Sequence, residues 1–239
     1  IISALIYPAI LMVAGLAAFL FFTMWIMPTF AELFSGLNIK LPLLTKMLIA
    51  LSAFIRKYFL LIILLLIAGF YLFRRYINTK TGRREYEHFL LTLPVFGEFF
   101  RAIIVERFSS EMSTLIESGV PILYSLEIAE HSVGNSVMSE NIRKVKEEVR
   151  EGRSLSEPLE RSGFFEPMVV QLITIGEEIG ELSQMFKRID EFYQQYVETF
   201  LTRFTSMFEP LMLVFMGVVV GIMVIGMFLP IFQLAQIHQ

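Results

Sequence analysis

From Pro210 to Gln239 the chain contains no Asp, Glu, Lys or Arg. A polypeptide in water does not leave so long a Leu-, Val-, Met- and Phe-rich segment without a charge. A lipid bilayer asks for one, because its core of ~30 Å is crossed by about 20 apolar residues rising ~1.5 Å each. Two further stretches read the same way, Ala9 to Met27 and Tyr58 to Phe73. Backbone N–H and C=O groups in hydrocarbon must pair within their own segment, so each stretch is expected to be a helix.

The remaining residues belong to a different solvent. Every Asp and Glu except Glu32 falls between Arg74 and Glu209. The whole is 55% hydrophobic with a mean hydropathy of +0.64, above the roughly 45–50% of a soluble domain. The expected fold is therefore an all-α membrane protein with three transmembrane helices and one bundle of about six helices. The boundaries are a first span at 1–28, an outer loop with an amphipathic helix at 29–57, a second span at 58–73, the bundle at 74–209, a third span at 210–230 and a tail at 231–239. Pro28 and Pro42 bracket a turn containing Gly36 and Asn38, so spans one and two form a hairpin. The stretch from Leu41 to Ile55 is amphipathic, and either continues into span two or lies in the interface.

Orientation follows from basic residues at the span ends. Arg74, Arg75, Lys80, Arg83 and Arg84 crowd the end of span two, against Lys40, Lys46, Arg56 and Lys57 in the opposite loop. The bundle is thus expected in the cytoplasm, with hairpin and C-terminus on the far side. The chain opens on Ile1 inside an apolar run, which raises the expectation of further chain before it.

Several chemistries are excluded at once. A net charge of −3 and the lack of a basic stripe argue against nucleic acid. With no Cys there is no disulfide, thiolate site or cysteine nucleophile. No Gly-x-x-x-x-Gly-Lys-Ser/Thr loop or Gly-x-Ser-x-Gly elbow is present. His88, His131 and His238 match no metal or triad spacing. No cofactor and no metal are expected, and the chain reads as a scaffold rather than an enzyme.

Within the bundle, apolar residues recur at three and four, as in Phe100, Ile103, Ile104 and Phe108. Breaks fall at Pro94, Gly119 with Pro121, Gly134, Gly152, Gly163 and Gly176 to Gly180. The last helix begins near Glu181 and runs on into span three without a linker. Glu177, Glu178 and Glu181 form an acidic neighbourhood with Glu166, read as structural or partner-contacting because no loop of alternating ligands accompanies it. Glu209, at the mouth of a span, is a candidate for pairing with another protein. Gly217 and Gly221, like Ala14 and Ala18, are spaced for close helix approach.

The sequence also repeats itself. Tyr7-Pro8 opens span one and Met27-Pro28-Thr29-Phe30 closes it; Glu209-Pro210 opens span three and Leu229-Pro230-Ile231-Phe232 closes it, with equal spacing. Such matching argues for duplicated halves.

These residues, with Leu41-Pro42-Leu43-Leu44-Thr45, Glu117-Ser118-Gly119-Val120-Pro121, Glu151-Gly152-Arg153-Ser154-Leu155 and Gly176-Glu177-Glu178-Ile179-Gly180, resemble the PilC/GspF family of platform proteins from type IV pilus and type II secretion machines. Ile179 departs from the small hydroxyl residue common there. The resemblance implies a non-catalytic inner-membrane platform and a homo-oligomer in membrane lipid. Its implied partners are a hexameric assembly or secretion ATPase, pilins or pseudopilins, and other inner-membrane subunits. It also singles out Glu117, Gly119, Pro121, Gly152, Gly176, Glu177, Gly180, Glu209, Pro210 and Pro230 as partner or structural residues. The competing reading is a small transporter or channel subunit built around Glu209, for which spans one and three offer few polar groups. A prepilin peptidase would need paired aspartates, and Asp190 is the only aspartate.

Overall fold

A computed structural model describes residues 2–36 and 41–237. Among them every regular element is helical. Asn38 and Lys40 of the expected outer turn, and His238, lie outside the described residues. The chain divides into two units, Ile1–Leu72 with Leu201–Gln239, and Phe73–Phe200.

The first unit is the apolar one. It holds α1 (Ile2–Phe21), one π-helical turn (Phe22–Ile26), α2 (Met27–Gly36), most of α3 (Leu43–Ile77) and the end of α10 (Leu182–Ile237). The three helices long and apolar enough to cross a membrane lie at Ala9–Phe34, Leu43–Ile77 and Leu182–Pro230. Pro28 was expected to end span one, yet the helix continues through it. A proline lacks its N–H and crowds the carbonyl four residues back, which normally breaks a helix. Here the π turn just before it widens the spiral and relieves that crowding. Most of the expected loop at 29–57 is therefore helix. The amphipathic segment from Leu43 and the apolar run are one helix, α3, started when the Lys46 N–H bonds the Pro42 carbonyl at 3.0 Å. Likewise α10 passes through Pro210 and Pro230 and runs to Ile237.

The second unit packs α4 (Lys80–Thr92), α5 (Phe96–Glu117), α6 (Ile122–Ser132), α7 (Ser136–Arg150), α8 (Ser156–Arg161), α9 (Pro167–Ile179) and the first part of α10. Local sequence sets the starts. The Thr79 hydroxyl accepts from the Gly82 N–H at 3.1 Å, and Asn135 Oδ1 from the Met138 N–H at 2.9 Å, each a capping bond to an otherwise orphaned donor. Helices α4 and α5 meet at 114° across Val95, a β-branched residue at φ +67, a conformation that costs free energy. Apolar faces at helical spacing converge on a core where Phe108, Met112, Leu126, Leu159, Ile173 and Phe186 are wholly buried. The Phe108 ring lies 5.6 Å from Phe165 and, edge-on, 5.7 Å from Phe186, the tilted geometries aromatic pairs favour.

Candidate functional site

Each proline at the end of a repeat strands a carbonyl. The π turn hands the Met27 N–H to the Phe22 carbonyl. The Thr23 carbonyl, next in line, then faces Pro28, which has no N–H to give. In α10 the Gly226 carbonyl faces Pro230 in the same way. Both are rescued from α3: Ser52 Oγ donates to the Thr23 carbonyl, and Thr45 Oγ1 donates to the Gly226 carbonyl at 2.6 Å. Thr23, Thr45 and Ser52 are all buried. Leaving such a buried carbonyl unpaired costs about 1–3 kcal/mol, so two hydroxyls of one helix hold together both copies of the repeat.

The openings of the two copies also meet. Tyr7 OH donates to Glu209 Oε1 at 3.2 Å across a separation of 202 residues, the separation that also relates Pro8 to Pro210 and Pro28 to Pro230. Further along, a Cβ on Gly15 would stand 2.7 Å from Met216 Sδ. The first helix and the end of α10 thus run side by side in the same sense, as parallel duplicates do. A Cβ on Gly226 would stand 2.3 Å from Leu48 Cδ1, so this glycine admits α3. Within the chain, by contrast, Gly217 and Gly221 face open space, and Ala14 and Ala18 are exposed. The close approaches fall at Gly15 and Gly226, which the small-residue spacing did not single out.

In the second unit the acidic residues work mainly on backbone. Glu177 on α9 accepts from the Leu155 N–H, from the Ser156 N–H at 3.0 Å and from Ser156 Oγ at 2.8 Å. That fixes the turn after Gly152 and caps α8 with a carboxylate, favoured by the helix dipole. Glu87, on α4, does the same for α7, accepting from the Ser136 N–H and Oγ at 2.5 Å while Arg83 pairs with it at 2.8 Å. Lys146 and Glu130 form a nearly buried pair at 2.7 Å. Gly119, Gly152 and Gly180 all sit at positive φ; for Gly180 that conformation ends α9 with a left-handed cap. Gly176 instead lies inside α9, where a Cβ would meet Met185 Cγ at 2.8 Å. Glu117 and Pro121 are exposed on either side of the α5–α6 turn, and Glu178 is exposed.

Glu106 on α5 is held above the usual carboxylate range, first by burial and then by Asp190 across from it, with Arg107 opposing. Among the described residues no three His, Asp or Glu side chains are grouped to hold a metal ion. Sequence reasoning named Thr45 only within the Leu41–Thr45 stretch, without a role, and passed over Ser52, Glu87 and Lys146. For Thr45 and Ser52 the available signal was a pair of hydroxyls two turns apart in a mostly apolar helix.

Residues 108–230 match the family described as type II secretion system (T2SS), protein F. The chain is 40% identical over 233 residues to the type IV pilus assembly protein PilC of Thermus thermophilus, covering 97% of this chain and 57% of that protein. It is 36% identical over 234 residues to the type II secretion system protein F of Pseudomonas aeruginosa, covering 98% and 58%. With PilC of Myxococcus xanthus it shares 34% identity, covering 98% and 56%. The chain thus spans somewhat over half the length of these curated relatives. Three apolar membrane helices, a helical bundle of the matched sequence and these relatives lead to one assignment: the chain belongs to the type II secretion system protein F family, alongside the PilC pilus assembly proteins.

Proposed function

We propose that this chain acts as a non-enzymatic platform in the bacterial inner membrane, coupling a cytoplasmic assembly ATPase to the insertion of pilin or pseudopilin subunits into a filament. Its bundle faces the cytoplasm and its C-terminus the periplasm, in line with the basic cluster from Arg74 to Arg84. The observation that carries the reading is the single helix α10, unbroken from Leu182 to Ile237, which supplies core residues Phe186 and Ile189 to the bundle and then becomes the charge-free span. A helix is stiff along its axis, so motion imposed on the bundle by a motor reaches the span without loss in a linker. Glu177 and Glu87 support this role by fixing bundle turns, and Glu209, paired with Tyr7, marks where α10 enters the membrane.

A flexible Gly-Ser insertion near Thr205 tests the coupling. Filament assembly is expected to stop while the protein still accumulates in the membrane and still co-purifies with the ATPase. Normal assembly from that variant refutes the mechanical reading. Failure of the unmodified full-length protein to recover any ATPase, together with ion flux through liposomes bearing it, refutes the platform reading in favour of a channel.

A further inference from the structure

On α3 the charge-free stretch from Tyr58 to Phe73 is bounded by Arg56 and Lys57 at one end and Arg74 and Arg75 at the other. At ~1.5 Å per residue that stretch covers only about 24 Å, less than the ~30 Å of hydrocarbon it must cross. Both basic pairs are therefore drawn to the depth of the lipid phosphates, one in each leaflet.

The two ends differ in what stands beside them. At Arg74 and Arg75 both side chains are exposed, with α4 beside them: Tyr86 lies edge-on to Phe73 and Glu85 accepts from Tyr76 OH at 2.6 Å. At Arg56 and Lys57 a cleft of about 390 Å³ opens between α2 and α3, walled by Met27, Pro28 and Ala31 on one side and by Ile49 and Ala53 on the other. A second cleft of about 360 Å³, walled by Trp25, shares Pro28, Glu32 and Arg56 with it. Glu32 stands on the α2 wall, and Arg56 and Lys57 bring two cations to the cleft. Below the cleft, from Ile63 onward, the apolar face of α3 is open.

We propose that this cleft is a seat for one glycerophospholipid, in the leaflet opposite Arg74 and Arg75. Arg56 and Lys57 hold its phosphodiester, and its acyl chain lies along Leu60 and Leu64. A phosphodiester finds two cationic donors in Arg56 and Lys57, the apolar walls match the glycerol ester region, and depth places the guanidinium where a phosphate is found. Trp25, 63% exposed, is the amphipathic aromatic expected at that level. The inference requires only that α3 cross a bilayer and is independent of the platform role.

The test is native mass spectrometry of the full-length protein, extracted from membranes in a phosphate-free maltoside and titrated with phosphatidylglycerol. The intact protein is expected to retain one phospholipid. Arg56→Gln with Lys57→Gln should weaken that binding at least about tenfold, since both cations that attract the anionic headgroup are lost. Lys46→Gln, on the same helix but off the cleft, should leave it unchanged. Ala53→Phe, which fills the cleft without altering charge, should also expel the lipid, and serves as the readout if the double variant fails to fold. Equal retention by Ala53→Phe and the intact protein, equal loss from Lys46→Gln, or displacement of the lipid by inorganic phosphate each overturns the proposal.

Discussion

Replacing Thr45 by Val removes one hydroxyl and changes almost nothing else in shape. Thr45 is fully buried, and its bond to the Gly226 carbonyl is 2.6 Å long. Pro230 cannot supply the N–H that this carbonyl would receive in an unbroken helix, and water does not reach it. A buried acceptor left unpaired costs about 1–3 kcal/mol, so Thr45→Val is expected to destabilise by roughly 2 kcal/mol. The decisive variant is Pro230→Ala, which restores an N–H four residues after Gly226. In that background Thr45→Val should cost only a few tenths of a kcal/mol, because the carbonyl then has a donor of its own. The four proteins form a double-mutant cycle, read by reversible unfolding in one detergent at one concentration, with an expected coupling of about 1–2 kcal/mol. Strict additivity, within about 0.5 kcal/mol, refutes the claim that Thr45 answers for the proline. Ser52→Ala with Pro28→Ala is the matching cycle in the first copy of the repeat.

Other consequences are testable in the same way. Glu177→Ala removes the acceptor for two backbone N–H groups and a hydroxyl, and should destabilise the bundle by about 2–3 kcal/mol; Glu177→Gln should recover part of that in chemical denaturation. Gly82→Ala places a Cβ 2.2 Å from the Tyr76 carbonyl oxygen, backbone that cannot step aside, and should cost about 1–3 kcal/mol. Gly217→Ala meets nothing and should leave the monomer as stable as before; a change in oligomeric state from that substitution alone would assign the face to another copy. Glu106 has a raised folded pKa, so its contribution to stability is greatest at low pH and is lost as pH rises through that pKa. Glu106→Gln should therefore stabilise the protein at neutral pH and lose this advantage as pH falls below the ordinary carboxylate range, which a pH series of thermal midpoints would show.

The spans and the helical class were legible because hydrocarbon permits so few solutions: an uncharged run of sufficient length is a helix whatever its neighbours do. Breaks set by single residues were less legible. Gly119, Gly152 and Gly180 do end helices, since each needs positive φ. Gly176 does not, because its small size serves packing against Met185 instead. Pro28 and Pro230 looked like helix ends and are interior residues, since what decides the matter is whether a distant hydroxyl is available to pair the stranded carbonyl. That information sits on α3, in Thr45 and Ser52, and no local pattern around either proline contains it. Tyr7 and Glu209 were aligned by the repeat, but their hydrogen bond follows only once the two copies stand side by side.

The exposure of α3 has a further meaning. From Ile63 to Leu72 each residue of this helix is open to the surroundings, whereas Thr45 and Ser52 near its start are gripped on both flanks. Anchored at one extremity and bare along the other, the helix leans on whatever fluid surrounds it, and acyl tails become a structural component that the polypeptide does not encode. Solubilising agents with tails too short to fill that space should let the limb drift, so the geometry of this protein is a property of chain and bilayer jointly.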